Sequence, residues 1–170
     1  MKSKNEELQF YSLDEILKRK AQYNVIFGER SNGKTYAVLL HGLKNFVKTG
    51  KQIAIVRRYD DDIKAGKADS FFDALVANGE IEKLTKGKYT GVSYYNRKFY
   101  LSYHDENLDK DVRDNRPFGY TFAINTATRY KSTSYPDITT IYFYCTLSHI
   151  LDVIQSHFHK VRTVFIYCIS

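Results

Sequence analysis

Cysteine and proline are scarce in this 170-residue chain, with two of each. Two thiols, Cys145 and Cys168, are too few for the disulfide framework of a small secreted domain, and a reducing compartment would keep both as thiols. So little proline, with 43% apolar and 15% aromatic residues, excludes a disordered or low-complexity chain. Long apolar runs are missing as well. None approaches the roughly 20 residues that span a bilayer, and the opening "MKSKNEELQF" has no apolar signal core. A cytoplasmic protein without membrane contact is therefore predicted. No internal repeat is visible, and the length suits one domain over residues 1–170.

Positive charge is in surplus. Lys and Arg outnumber Asp and Glu by 26 to 19, a net charge of +7. An anionic partner such as nucleic acid, nucleotide phosphate or a lipid surface fits that excess, but charge alone does not choose among them.

The apolar pattern predicts an α/β fold. "SLDEILKRK" offers Ser12 as an N-cap with Glu15 as its capping-box partner, opening a short helix. "YNVIF" reads as a buried strand, residues from Lys34 recur at helical spacing until Gly50, and "QIAIVRR" reads as a second strand. Strand, helix and strand so close together make a βαβ unit with parallel strands. A helix is expected over Ala68 to Val76, and a β-hairpin in "KYTGVSYYNRKFYLSYH" turning at Tyr95 and Asn96. "NLDKDVRDNRPFG" reads as a charged loop. "YTFAIN", "DITTIYFY" and "RTVFIYCI" read as further strands, with a helix over residues 147–158. The expected architecture is a mainly parallel sheet flanked by helices, with an inserted antiparallel hairpin, and is P-loop NTPase-like on account of the motif between the first strand and its helix.

Between the first strand and its helix stand Gly28, Glu29, Arg30, Ser31, Asn32, Gly33, Lys34 and Thr35, which satisfy the Walker A pattern G-x-x-x-x-G-K-[ST]. The glycines let the backbone turn its N–H groups inward, and the helix adds its positive end to the same phosphates. Lys34 would reach the β- and γ-phosphates and Thr35 would bind Mg²⁺ through its hydroxyl. A chance glycine-rich turn is the bland alternative, and the strand-loop-helix setting argues against it. Hydrolysis also needs an acidic pair, expected where "TTIYF" ends. Tyr144 and Cys145 stand there, and no glutamate follows Glu106.

"NVIFGERSNGKTYAVLLHGLKNFVKTGKQIAIVRRYDDDI" and "GYTFAINTATRYKSTSYPDITTIYF" together resemble the DNA-packaging ATPases (encapsidation proteins) of small protein-primed tailed phages, over about residues 10–143. "VRRY" and "KSTSYP" make the match far more specific than a P-loop alone. The resemblance implies a terminase-like, ASCE-type P-loop motor that takes ATP and Mg²⁺. Its copies form a homo-oligomeric ring at the portal of a procapsid and hydrolyse ATP to drive double-stranded DNA inward. It also implies Lys131 as a candidate catalytic lysine acting in trans at a neighbour's phosphates, against its reading as a solvated loop charge.

Other residues keep two readings. Arg57 and Arg58, at the end of the second strand, face phosphates or DNA, or pair with Asp60, Asp61 and Asp62. The hairpin tyrosines, set among Lys86, Lys88, Arg97 and Lys98, stack on bases or pack across strands.

The family pattern stops at residues 144–170. The acid pair is absent, the turn expected to carry an arginine finger reads Ser156, His157 and Phe158, and both cysteines and three of five histidines cluster there. Either the chain is a shortened paralogue that binds nucleotide without hydrolysing it, or the tail is non-ancestral through a frameshift, a degenerate prophage gene or a misassembled reading frame; an abrupt loss of pattern at one point favours the second. Cys145, His149, His157, His159 and Cys168 match no zinc-site spacing. A non-hydrolysing interaction module and a small-molecule kinase are the remaining functional alternatives.

Overall fold

The computed structural model describes residues 11–27, 33–126, 133–144 and 163–168. Helix α1 spans Asp14–Lys18, strand β1 Tyr23–Phe27, helix α2 Lys34–Thr49 and strand β2 Gln52–Arg57. The βαβ unit expected from periodicity is present. Helix α2 ends at Gly50, which adopts φ 72° and returns its N–H to the Phe46 carbonyl at 2.7 Å. Such a left-handed cap costs glycine little because it has no Cβ.

After β2 come helices α3, Asp73–Ala77, and α4, Glu80–Thr85, then strands β3 Gly91–Tyr95, β4 Lys98–Asp105, β5 Lys110–Arg113, β6 Gly119–Ala123, β7 Ile138–Tyr144 and β8 Thr163–Cys168. All eight strands join one sheet in the order β1-β8-β7-β2-β6-β4-β3, with β5 on the side of β4. Strands β1, β8, β7, β2 and β6 pair in parallel, and β4 turns the sheet antiparallel against β6, β3 and β5. The sheet is therefore mostly parallel, with an antiparallel extension at one side.

Alternate residues of the parallel strands feed two cores. Ile53, Ile55, Tyr142 and Phe165 lie with Val38, Leu39 and Leu43 of α2, whereas Ala54, Val56, Ile141, Phe143, Val164 and Ile166 form a second cluster. Burial on both faces explains why these strands read as unbroken apolar runs rather than alternating ones. Helix α2 sits close on β2 at Gly42, where an added Cβ would collide with Ile53.

Several expected features are corrected. The first helix starts at Asp14, not at a Ser12 cap: Ser12 Oγ accepts the Asp14 N–H at 3.1 Å, and Glu15 pairs with Lys18 instead of closing a capping box. Residues Ala68–Phe72 form a 3₁₀ turn before α3, so the expected helix is two shorter pieces. The hairpin turns one residue later, at Asn96 and Arg97, with φ values of 48° and 61°. Left-handed angles at both positions are the type I′ turn that suits strand twist. The supposed charged loop contains β5, a strand with one apolar residue, Val112, made by pairing with β4.

Strand β8 lies in the segment that departs from the family pattern, yet it is flanked by β1 and β7, and Val164 and Phe165 are fully buried. The tail thus supplies an interior strand of this sheet. The helix expected over 147–158 lies outside the described residues. Among the described residues no helix is long and apolar enough to cross a membrane.

Candidate functional site

Parallel pairing brings five strand ends to one edge. Phe27 aligns with Cys168, Tyr167 with Tyr144, and Arg57 with both Tyr144 and Ala123. Ligands of open α/β sheets sit outside this carboxyl edge. Since β1 leads into α2 through residues 28–33 alone, the amino end of α2 opens there too.

That helix end is prepared for an anion. Gly33 occupies the N-cap with φ 78° and ψ 3°, no side chain caps the first turn, and the turn carries no acidic residue. Its outward N–H groups and the helix dipole favour negative charge. Lys34 is only 3% exposed, in the first helical turn. Lysine is almost never buried so fully unless its charge is answered. Thr35 Oγ1 lies 2.9 Å from the Tyr142 hydroxyl on β7. Strand β7 ends two residues further on, at Tyr144, opposite Arg57.

Of the expected site, the structure brings together Gly33, Lys34 and Thr35. Gly28, Glu29, Arg30, Ser31, Asn32 and Lys131 lie outside the described residues, as do Cys145, His149, His157 and His159. Tyr142 is a site neighbour that sequence reading missed, because it counted as one more apolar strand residue. Its hydroxyl was the available signal, since a buried phenol needs a polar partner.

The charged residues after β2 are tied locally. Arg97 makes a two-armed pair with Asp60, at 2.7 and 3.0 Å, and Thr126 donates to the same carboxylate. Asp61 pairs with Lys64 and Asp62 approaches Lys67 at 3.9 Å. The Arg57 guanidinium lies over the Phe71 ring at 4.6 Å, and that of Arg58 over Tyr59 at 5.2 Å. The hairpin tyrosines differ in burial and contact. Tyr94 packs on Phe99 and donates to the Ile63 carbonyl, whereas Tyr95 and Tyr103 are exposed and Arg113 lies over Tyr95 at 4.2 Å.

A cavity of about 270 Å³ opens between α1 and α2, beginning at Tyr36 beside Thr35. His41, on its wall, touches Phe165 edge-on, and burial, with Lys44 nearby, pushes its imidazole below the ordinary pKa.

Comparison with known proteins gives this edge a context. The chain is 27% identical over 134 residues to the DNA packaging proteins of Bacillus phages PZA and phi29, which covers 79% of this chain and 34% of each relative. It therefore spans about a third of their length. Its fold matches the crystal structure of the N-terminal domain of the phi29 DNA packaging ATPase with a TM-score of 0.68 at 22% identity, over 93% of this chain and 78% of that one. It also matches a chain of the phi29 genome packaging motor assembly with a TM-score of 0.67 at 21% identity, over 93% of this chain and 46% of that one. The model of the podovirus DNA encapsidation protein (Gp16) family matches residues 5–150, and this chain belongs to that family.

Proposed function

We propose that this chain carries the nucleotide-binding part of a viral DNA-packaging ATPase, with Mg²⁺ and ATP held by Gly28, Glu29, Arg30, Ser31, Asn32, Gly33, Lys34 and Thr35. The observation that supports this most is the buried Lys34 beside left-handed Gly33, at an uncapped helix end on the carboxyl edge of the sheet. A triphosphate there meets the first-turn N–H groups, the helix dipole and the Lys34 ammonium together. Bound Mg²⁺ would neutralise charge on the β- and γ-phosphate oxygens. The residues present fit it in part: Thr35 supplies a hydroxyl that keeps a lone pair for a metal while bonded to Tyr142, and no carboxylate follows on β7 to complete the shell.

The strand order supports the ASCE reading, in which a strand separates the P-loop strand from the one leading to the acid pair. Here β8 lies between β1 and β7. Membership of the encapsidation family supports a reading in which the intact assembly is a homo-oligomeric ring at a procapsid portal, with double-stranded DNA as cargo and Lys131 reaching a neighbour's phosphates. Hydrolysis by this polypeptide is slow or absent, because Tyr144 and Cys145 stand where a carboxylate would hold the metal's shell and polarise water. A second reading, a nucleotide-binding module that takes its place in the ring without turnover, is favoured by the same two residues.

Calorimetric titration with Mg²⁺ and ATP, paired with a phosphate-release assay with and without DNA, tests both readings. Binding that falls at least tenfold in Lys34→Ala, with release at background, supports the proposal and favours the module. Release that depends on Lys34 restores a hydrolysing motor. A chain that binds no ATP refutes both.

A further inference from the structure

We propose that the antiparallel end of the sheet makes a head-to-tail contact between copies of this chain, in which the acidic β4–β5 turn of one copy docks on a cationic face of the next. This rests on the ring reading above, which supplies the second copy, and not on the nucleotide.

In β4 the buried Phe99 and Leu101 join the core beneath α2, α3 and α4, so Lys98, Tyr100 and Ser102 turn to the opposite side. Register places Tyr95 and Tyr120 on either side of Lys98, and Arg113 opposite Ser102. The Arg113 guanidinium lies over Tyr95 at 4.2 Å and Tyr100 at 5.3 Å, and the Lys98 ammonium lies 5.9 Å from the centre of the Tyr120 ring. Asp111, the acid that shares this face, lies 3.1 Å from His104 Nδ1. Neither Lys98 nor Arg113 pairs with a carboxylate among the described residues.

This arrangement selects its partner. The cations cover tyrosine rings on which bases would otherwise stack, while the rings hold the guanidinium flat and leave its N–H edge for a carboxylate. Tyrosine and arginine are also enriched where proteins meet. An acidic protein segment therefore fits the face better than a nucleic acid strand.

The chain itself supplies such a segment. The β4–β5 turn presents Glu106, Leu108 and Asp109, all exposed. Leu108 is 57% exposed, and the Asp109 side chain is 98% exposed although it approaches His104 at 3.6 Å. The other acidic run, Asp60 to Asp62, is already paired with Arg97, Lys64 and Lys67. Turn and face cannot meet within one copy. The turn follows one end of β4 and Lys98 begins the other, roughly 24 Å away at about 3.4 Å per residue, and the Arg113 side chain reaches toward the Lys98 end, over Tyr95. Unlike patches that meet only between copies make a heterologous contact, which closes into a ring where the rotation permits.

Sedimentation velocity of the full chain without nucleotide tests this. Association should rise with concentration and weaken between about 0.1 and 1 M salt, as the Debye length falls from about 10 to 3 Å. Lys98→Glu with Arg113→Glu should weaken it about tenfold or more, and so should Glu106→Lys with Asp109→Lys. Mixed together, the two double variants should associate again, because each presents the charge that the other now lacks. In the unsubstituted protein, a zero-length carbodiimide cross-link should join Glu106 or Asp109 of one copy to Lys98 of another, identified by mass spectrometry in a mixture of isotope-labelled and unlabelled chains. A chain that stays monomeric at every concentration overturns both the contact and the ring reading. Association that both double variants retain, or that their mixture fails to recover, overturns the contact alone. So does a Lys98 and Arg113 variant that loses affinity for an oligonucleotide while its self-association is unchanged. ATP affinity should stay within about twofold in every variant, so failure of the nucleotide site and failure of the contact are read separately.

Discussion

Thr35 Oγ1 and the Tyr142 hydroxyl lie 2.9 Å apart, joining the first turn of α2 to the middle of β7 across 107 residues of sequence. Tyr142 is fully buried, so the bond secures the helix end to the strand that should carry the acid pair. A threonine hydroxyl has one proton and two lone pairs, so Thr35 keeps this bond and still offers a lone pair to Mg²⁺. Tyr142→Phe should therefore cost about 1 kcal/mol of stability and weaken Mg²⁺-dependent ATP affinity severalfold, because the Thr35 hydroxyl loses the partner that orients it. Urea denaturation and calorimetry measure the two effects. A rise in ATP affinity would make the phenol a competitor of the metal rather than a support.

Restoring acids at the end of β7 should restore turnover. Tyr144→Asp with Cys145→Glu is expected to raise Mg²⁺-dependent phosphate release at least tenfold over the unsubstituted chain, since the end of β7 faces the same edge as Lys34. If release stays at background while ATP still binds, the missing carboxylates are not the sole deficit.

At Gly42 the packing of α2 on β2 leaves no room for a side chain, because an added Cβ meets the fully buried Ile53. Alanine would gain about 1 kcal/mol in helix propensity but lose about 1–3 kcal/mol to overpacking. Gly42→Ala should be net destabilising, and Ile53→Val in the same chain should recover part of the loss by removing the obstructing methyl. Thermal melts of the single and double variants check this, and a Gly42→Ala chain of raised Tm would show that the interface relaxes freely.

Arg97 holds a left-handed turn position and bonds Asp60 with both guanidinium arms, so the hairpin tip is pinned to the 3₁₀ turn after β2. Arg97→Ala should cost about 1–3 kcal/mol, the range for charge-assisted bonds that leave a partner stranded. Arg97→Gly relieves the positive φ and should lose less. Equal losses in the two variants, read by urea denaturation, would mean that backbone strain is negligible there.

His41 sets a pH dependence. Burial, then Lys44, lowers its pKa, so below histidine's ordinary value of about 6.5 the unfolded chain takes up a proton that the folded chain resists. Lys44 and Asp14 both line the cavity beside it, and only the lysine adds to the shift. Its contribution is full above that pH and lost as the pH falls. His41→Asn should flatten the decline between about pH 7 and 5.5, measured by denaturation at each pH. An unchanged slope would assign the decline to other groups.

Much of the fold is legible in the sequence wherever neighbouring residues decide it. Helix α2 announces itself by apolar spacing and terminal glycines, and β1 and β2 by short apolar runs, because those signals come from local geometry and burial of a single face or strand. The turn lies at Asn96 and Arg97, one residue beyond where the residue pattern puts it, because arginine seldom takes positive φ; Arg97 is tied there to the Asp60 carboxylate. Strand β5 was read as a loop because "KDVR" has little strand character, and its pairing with β4 overrides that.

The candidate site shows the same division. The sequence by itself determined the Walker A pattern from Gly28 to Thr35, the family resemblance and the absence of an acid pair after "TTIYF", since these depend on residue identity and short spacing. Only the tertiary structure decided that β8 enters the sheet between β1 and β7, that Tyr142 meets Thr35, and that a cavity opens beside Tyr36. The physical reason is that parallel strands and helix-to-sheet contacts join residues far apart in the chain. No local periodicity records which neighbour a buried apolar strand will take.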